Sequence, residues 1–185
     1  MIGKAFYSMK RSIFSAVGKP LYARAGFRLI LLNWIVQRLF GVNRRVPTSV
    51  HYTSYVSGFE NIELGEDVYY SFAVSGCANI AVAKGTKLTI GSGTIFARSI
   101  CIRTANHDLL DRNKYEGADV VIGKNCWLGH GVVILPGVTL GENVTVGANS
   151  VVTKSFPGNV VLAGVPAKVI KTLDESPDPD QGPTE

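Results

Sequence analysis

A six-residue repeat runs through the C-terminal half of this chain and constrains its fold more than any other feature. Between residues 122 and 152 an aliphatic side chain recurs at every sixth position, at Ile122, Leu128, Ile134, Leu140, Val146 and Val152. An α-helix repeats its buried face about every 3.6 residues and a strand about every 2. Neither period generates this spacing, so the repeat itself is predicted to be the structural unit, as in a parallel β-helix.

The repeat also predicts how each coil is built. Three hexapeptides would form one triangular coil, with the aliphatic side chain pointing inward and Gly or Asn allowing the corner backbone. Each coil would bury its apolar surface only against its neighbours. The regular run supplies roughly two coils, and related fragments predict roughly two or three more. Those fragments are Leu64–Val68, Ile90–Thr94, Phe96 and Ile102.

The repeat is interrupted twice before it becomes regular. The interval from Leu64 to Ile90 is 26 residues and that from Ile102 to Ile122 is 20, each two more than a multiple of six. In a stacked coil such an interruption must leave the wall as a bulge or loop, and loops on rigid scaffolds commonly carry function. The second interval contains Asn106, His107 and Asp108, followed by the polar run 111–117.

The two ends of the chain carry opposite charge. Residues 1–45 contain nine Lys or Arg and no acid, and their apolar spacing predicts two short helices joined at residues 18–20. This segment would cap the open end of the β-helix, lie on an anionic membrane surface, or do both. Residues 172–185 contain five acids and no base, and are predicted to be a disordered tail. The β-helix domain is therefore predicted over residues 46–171.

Composition excludes several classes of protein. A chain of 185 residues that is 46% hydrophobic suits one domain with additions. The three cysteines and three histidines show no ligand-like spacing, so neither disulfides nor a metal are expected. The N-terminal cations alternate with apolar residues and form no recognised module, so no nucleic-acid partner is expected. No signal-peptide pattern or membrane-spanning run is seen, which predicts a cytoplasmic protein or one peripheral to the inner membrane face.

Five motifs together resemble the hexapeptide-repeat acyltransferases. They are Asn106-His107, Ile122–Gly129, Pro136–Gly141, Gly147–Lys154 and Ala163–Lys168. The resemblance is nearest to the galactoside, maltose and polysaccharide O-acetyltransferase branch. It implies an all-β, left-handed parallel β-helix that forms a homotrimer, with acetyl-CoA bound between neighbouring subunits and no metal.

The resemblance implies that His107 is the catalytic base. A sugar hydroxyl is a poor nucleophile at neutral pH, and an imidazole can take its proton while the thioester carbonyl is attacked. Asp108 either binds the acceptor or orients His107, or it is a loop acid that caps a turn. Asn106 either positions the acceptor or serves its turn. The oxyanion would be stabilised by a backbone N–H near Gly129 or His130.

The resemblance also assigns acetyl-CoA contacts along the regular repeat and the residues after it. Trp127 would line the pantetheine channel, and Lys168 and Lys171 would lie near the phosphates, where cations are needed. The complete predicted set is Trp127, Gly129, His130, Ala148, Thr153, Lys154, Lys168 and Lys171.

The acceptor is less well defined than the donor. The acceptor-binding acid and Asn of galactoside and maltose enzymes correspond here to Gly85 and Cys77, which disfavours simple galactosides. A hydroxyl of a polysaccharide precursor, nucleotide sugar or lipid-linked glycan is the preferred acceptor. N-acetylation of an amino sugar nucleotide and a non-catalytic β-helix scaffold are the alternatives.

Overall fold

The computed structural model describes residues 26–173, which form a three-faced parallel β-helix preceded by a helix. Helix α1 spans Phe27–Leu39 and α2 spans Val68–Val74, with a 3-10 turn at Phe59–Asn61. Face A contains five parallel strands, which are β1 (Tyr55–Ser57), β3 (Asn79–Ala81), β6 (Cys101–Arg103), β11 (Val133–Ile134) and β14 (Val151–Val152). Face B contains four, β2 (Ile62–Leu64), β4 (Leu88–Ile90), β9 (Val120–Ile122) and β12 (Thr139–Leu140).

Face C and one excursion complete the list of strands. Face C contains β5 (Ile95–Phe96), β10 (Trp127–Leu128), β13 (Thr145–Val146) and β15 (Val160–Ala163) in parallel, with β16 (Lys168–Thr172) antiparallel to β15. The remaining strands, β7 (Ala105–His107) and β8 (Tyr115–Gly117), form an antiparallel hairpin outside the three faces.

The six-residue repeat is confirmed as the origin of the core. Parallel pairing aligns one inward side chain per strand, and on face A this column is Val56, Ile80, Ile102, Ile134 and Val152. Its four C-terminal members are fully buried. At roughly 25 cal/mol per Å² of apolar surface removed from water, each such side chain contributes about 1.5–3 kcal/mol. The repeat therefore defines one continuous core along the β-helix axis.

The corners confirm the predicted role of Asn and Gly. Asn125, Asn143, Asn149 and Asn159 all have φ between 53° and 59°, in the left-handed region that Asn tolerates better than most residues. At the corner between faces B and C, glycines from successive coils stack directly on one another. A Cβ built on Gly91 would lie only 2.6 Å from the carbonyl carbon of Gly123. Glycine is therefore required at this corner for the coils to approach one another.

The first interruption of the repeat contains a helix rather than the predicted bulge or loop. Helix α2 lies below β5 of face C, and the rings of Phe72 and Phe96 meet edge to face with centroids 5.3 Å apart. The Ser75 hydroxyl donates to the Phe96 carbonyl at 2.6 Å, and the Phe96 amide donates to Ser71 Oγ at 3.3 Å. These bonds join α2 to the first strand of face C, so the helix occupies a position that a strand fills in later coils.

Helix α1 packs on the N-terminal end of the β-helix through polar side chains. Asn33 is fully buried and donates to the Ala73 carbonyl of α2 at 3.0 Å and to Ser49 Oγ at 3.1 Å. One turn later, the buried Gln37 donates to the Thr48 carbonyl at 3.1 Å. Burying an amide without partners would cost several kcal/mol, so these bonds fix the position of α1. This arrangement supports the capping interpretation of the segment.

The described residues include only part of the two terminal segments for which predictions were made. Of the two predicted N-terminal helices, α1 matches the second, and the first lies outside the described residues together with the turn at 18–20. Strand β16 continues through Thr172, one residue into the predicted tail, and the Leu173 amide donates to the Asn159 carbonyl at 2.7 Å. Residues 174–185 of that tail also lie outside the described range. Among the helices of residues 26–173, none combines the length and the apolar composition that a bilayer crossing requires.

Candidate active site

The second interruption of the repeat is the hairpin β7–β8, which leaves the wall at the corner between faces A and B. Its base is fixed by Thr104, which is fully buried. The Thr104 carbonyl accepts from the Ala118 amide at 2.8 Å, and its hydroxyl oxygen accepts from the Ala83 amide of the preceding coil at 2.8 Å. Because both ends of the excursion are joined to the wall at this residue, the hairpin projects from a rigid base.

His107 lies at the end of β7 and is exposed, but its ring is held in place. The Nδ1 atom is 2.6 Å from the backbone carbonyl oxygen of Arg112. A carbonyl oxygen can only accept, so Nδ1 must donate, and in the neutral ring this leaves the lone pair on Nε2. The ring also contacts Tyr115 on the paired strand, with centroids 4.3 Å apart. The arrangement therefore presents Nε2 as an oriented proton acceptor.

Asp108 caps the turn of this hairpin. Its Oδ1 accepts from the amides of Asp111 at 2.7 Å and Leu110 at 2.8 Å. Both backbone hydrogen bonds lower the pKa of the Asp108 carboxyl, and the bond from the Asp111 amide lowers it most. The geometry favours the turn-capping alternative, and the group that orients His107 is instead the Arg112 carbonyl. Asn106 is exposed in β7 and pairs across the hairpin with Glu116.

The hairpin turn is closed by a further contact that the sequence does not reveal. Arg112 Nη1 donates to the Asp108 carbonyl at 2.6 Å, and the Asp108 amide donates to the Lys114 carbonyl at 3.0 Å. Together these bonds fix the peptide whose carbonyl holds the His107 ring. The polar composition of residues 111–117 indicated a loop, but no spacing rule identifies which carbonyl a histidine will meet.

Four of the residues predicted to contact acetyl-CoA lie on face C and at the corner between faces C and A. Trp127 is 54% exposed on β10, which leaves its ring available to a ligand. Gly129 and His130 follow at the corner, and Ala148 lies one coil above. The Asn149 amide donates to the His130 carbonyl at 2.7 Å, so the turns of these two successive coils are in direct contact at this corner.

Of the two predicted oxyanion donors, the structure favours His130. The Gly129 amide donates to the Val146 carbonyl at 2.8 Å and is therefore used in the ladder between coils. The His130 amide has no backbone acceptor within residues 26–173, and the residue is exposed. A free backbone N–H on a rigid corner is the kind of donor that stabilises a developing oxyanion.

The remaining predicted contacts lie towards the C-terminal end. Thr153 and Lys154 are exposed at the corner between faces A and B, where the Lys154 ammonium lies 5.6 Å from the Phe156 ring centroid. Lys168 and Lys171 are exposed on β16, opposite Ala163 and Val161 respectively. These cations are available to an anionic group, since the ion pairs found in the described part of the chain involve other residues.

A single chain does not bring the predicted base and the predicted acetyl-CoA corner together. Each strand of face A runs from the corner of His130 to the corner from which the His107 hairpin projects. The two histidines therefore lie at opposite edges of face A. Among residues 26–173 no group of three or more His, Cys, Asp or Glu is arranged to hold a metal ion.

Comparison with known families identifies relatives over most of the chain. Residues 119–154 match the family described as bacterial transferase hexapeptide (six repeats). The putative lipopolysaccharide biosynthesis O-acetyl transferase WbbJ of Escherichia coli (strain K12) is 31% identical over 179 residues, which cover 81% of this chain and 90% of that protein. The galactoside O-acetyltransferase of the same strain is 35% identical over 125 residues, or 65% of this chain.

A solved structure shares the fold. A hexapeptide-repeat-containing acetyltransferase from Vibrio cholerae O1 biovar eltor, complexed with acetyl coenzyme A, superimposes with a TM-score of 0.58 at 26% identity, covering 85% of this chain and 89% of that one. The match to galactoside O-acetyltransferase is shorter, since this chain spans only 59% of that protein's length.

Proposed function

Because the chain belongs to the hexapeptide-repeat acetyltransferase family, we propose that it transfers the acetyl group of acetyl-CoA to a sugar hydroxyl of a polysaccharide or glycan precursor. The observation that carries the proposal is the hydrogen bond from His107 Nδ1 to the Arg112 carbonyl, which leaves Nε2 as a base on a rigid hairpin. The relatives that support it are named as O-acetyltransferases of galactosides and of lipopolysaccharide biosynthesis.

The reaction follows from the positions of these groups. Nε2 of His107 takes the proton of the acceptor hydroxyl as its oxygen attacks the thioester carbonyl. The His130 amide then donates to the oxyanion of the tetrahedral intermediate. The intermediate collapses by breaking its C–S bond, and the departing thiolate of coenzyme A recovers the proton from His107. The histidine is thereby returned to its starting state.

The site requires two chains. Since the hairpin of His107 and the corner of His130 lie at opposite edges of face A, one chain would supply the base and its neighbour the oxyanion donor. A closed ring satisfies this requirement for every hairpin, and we propose the homotrimer with left-handed winding that the family resemblance implies. Holding both substrates in one cleft converts the transfer into an effectively intramolecular step.

Acetyl-CoA is proposed to lie along the corner between faces C and A. Trp127 and Ala148 would flank the pantetheine arm, with Thr153 and Lys154 of the adjoining subunit further along it. Lys168 and Lys171 would meet the phosphates, because strand β16 ends the face and presents ammonium groups to solvent. With its phosphates at β16 and its pantetheine arm running towards the N-terminal coils, acetyl-CoA would have its acetyl group at the coil from which the His107 hairpin projects.

The proposal predicts that the protein binds acetyl-CoA and that surface glycans lack acetyl groups when the protein is absent. Titration calorimetry with acetyl-CoA should show about one binding site per subunit. Mass spectrometry of surface glycans from a deletion strain should show loss of acetyl groups that a plasmid-borne copy restores. A folded protein that binds no acetyl-CoA would instead support the scaffold alternative. If the acetyl groups lost and restored stand on amines rather than hydroxyls, N-acetylation would be supported.

We also propose that the end of α1 contacts an anionic membrane. Its buried residues are Ile30, Asn33 and Gln37, whereas Leu39 and Phe40 at its C-terminal end are 71% and 75% exposed. Arg38 precedes them in the chain and Arg44 and Arg45 follow shortly after, and all three are exposed. Apolar side chains flanked by cations are the combination that anionic lipid surfaces attract, at about 1 kcal/mol for each basic residue near the surface.

This membrane contact is tested by flotation with vesicles. The full-length chain should float with vesicles containing phosphatidylglycerol more than with phosphatidylcholine alone, and the double variant Leu39→Ser/Phe40→Ser should lose most of that difference. A matched control is Leu109→Ser/Leu110→Ser, which removes two leucines that are 82% and 98% exposed in the hairpin. If both double variants float equally well, α1 is not the membrane contact.

A further inference from the structure

A second group of polar side chains lies on the same corner as His130, on coils nearer the N-terminus. The corner turns of successive coils stack through backbone hydrogen bonds, from the Gly131 amide to the Arg98 carbonyl at 3.1 Å and from the Ser99 amide to the Gly76 carbonyl at 2.9 Å. Arg98 therefore lies one coil below His130, and Cys77 one coil below Ser99. Both Arg98 and Cys77 are exposed.

The first coil adds two more polar groups to this corner. Thr53 Oγ1 accepts from the Cys77 amide at 2.9 Å and lies 2.9 Å from His51 Nδ1. A Cβ built on Gly76 would lie 2.9 Å from Thr53 Oγ1 and 3.0 Å from His51 Cε1, so glycine at this position is needed for the side chains to gather there. His51, Thr53, Cys77 and Arg98 form one group, which we call the Arg98 cluster.

The Arg98 cluster is electropositive and rich in donors. Arg98 is more than 4.0 Å from every carboxylate in residues 26–173, since the ion pairs there involve other cations. The Thr53 amide donates to His51 Nδ1 at 3.3 Å, so the neutral ring carries its proton on Nε2 as a further donor. Burial lowers the pKa of His51, and Arg98 adds to that effect. The Thr53 hydroxyl lowers the pKa of the Cys77 thiol most, and Arg98 lowers it further.

The position of the cluster indicates which substrate it would meet. Arg98 belongs to the coil whose strand β6 leads directly into the His107 hairpin. The residues proposed to bind acetyl-CoA occupy this corner and the coils on its C-terminal side. The part of the corner that extends beyond the acetyl group, towards the N-terminus, is therefore where an acceptor can approach His107 of the neighbouring subunit.

We infer that the Arg98 cluster binds an anionic group of the acceptor, a carboxylate or a phosphate, and so selects acidic sugars over neutral ones. This inference rests on the proposed function. A planar guanidinium can donate two parallel hydrogen bonds to either anion, and the His51 Nε2–H adds a third donor. Such charge-assisted bonds should favour the acidic sugar by at least about tenfold in affinity.

Cys77 provides a test that does not require the natural acceptor. The rate of its alkylation by iodoacetamide, measured on the Cys77 peptide by mass spectrometry, should fall at least about tenfold in the presence of methyl glucuronide or glucose 1-phosphate at about ten times their Kd. Methyl glucoside at equal concentration should protect little. Arg98→Gln should abolish the difference between acidic and neutral sugars, whereas Arg98→Lys should retain part of it.

Controls separate this inference from the proposed function. Protection is the ratio of the alkylation rates without and with sugar, and it is taken within one variant because loss of Arg98 changes the reactivity of the Cys77 thiol itself. Lys124→Gln, which removes a cation at a different corner, is the control variant. Equal protection by acidic and neutral sugars, or no protection by either anion, would overturn the inference even where acetyl-CoA binds normally. If Arg98→Gln lost acetyl-CoA affinity while sugar protection stayed unchanged, Arg98 would belong to the acetyl-CoA site and not to the acceptor site. Failure of the wild-type protein to bind acetyl-CoA would overturn the proposed function instead.

Discussion

Replacement of His107 by alanine is expected to lower kcat by at least about 10², because a positioned general base contributes roughly 10² to 10⁴ in rate. The ring is exposed, and its only hydrogen bond in the described structure is the one to the Arg112 carbonyl. Its removal should therefore leave the assembly and the acetyl-CoA affinity nearly unchanged. The measurements are steady-state release of coenzyme A, titration calorimetry with acetyl-CoA and the mass of the assembly in solution.

The control for His107→Ala comes from the same hairpin. Leu110 is 98% exposed at the turn, and Leu110→Ala changes the hairpin surface without touching the imidazole. This variant should retain turnover close to that of the wild-type protein. If His107→Ala retained comparable turnover, another group would have to be the base. If it lost turnover together with acetyl-CoA binding, His107 would be a structural residue of the donor site.

The sequence predicted the parts of the fold that depend on repetition. A side chain repeated every six residues can be buried on every face only if the chain turns a corner after each hexapeptide, so the inward burial of Ile122, Leu128 and Ile134, one on each face, followed from spacing alone. All three are at most 1% exposed. The interruption that carries His107 was also visible, because an irregular interval in a stacked coil has to leave the wall.

The remaining features depend on contacts that spacing does not encode. Helix α2 replaces a strand because Ser71 and Ser75 can bond to the backbone of Phe96, a pairing of residues more than 20 positions apart. The group that orients His107 is a backbone carbonyl, which any residue at position 112 would supply. The Arg98 cluster is assembled from three coils. Its members follow no common motif, and only the stacking of the corners places them together.

Replacement of Gly123 by alanine is expected to cost at least about 2–3 kcal/mol of stability, the upper part of the range for overpacking a well-packed interior. The added Cβ would lie 2.5 Å from the carbonyl carbon of Gly141 and 2.7 Å from the amide nitrogen of Glu142. Both belong to the backbone of the next coil, so relief requires the coils to separate and the adjoining hydrogen bonds to lengthen. The Gly123 amide donates one of these, to the Leu140 carbonyl at 2.9 Å.

Gly147→Ala provides the matched comparison for Gly123→Ala, since Gly147 also follows an inward aliphatic residue of the repeat. Its Cβ would meet nothing closer than the Leu162 carbonyl oxygen at 3.3 Å, so a small local shift accommodates it and the change in stability should stay within about 1 kcal/mol. Urea midpoints at one fixed protein concentration give both values, because assembly makes the midpoint depend on concentration. Equal midpoints for the two variants would mean that the coils can open at the Gly123 corner, and that close stacking of glycines there is not what sets the spacing of the β-helix.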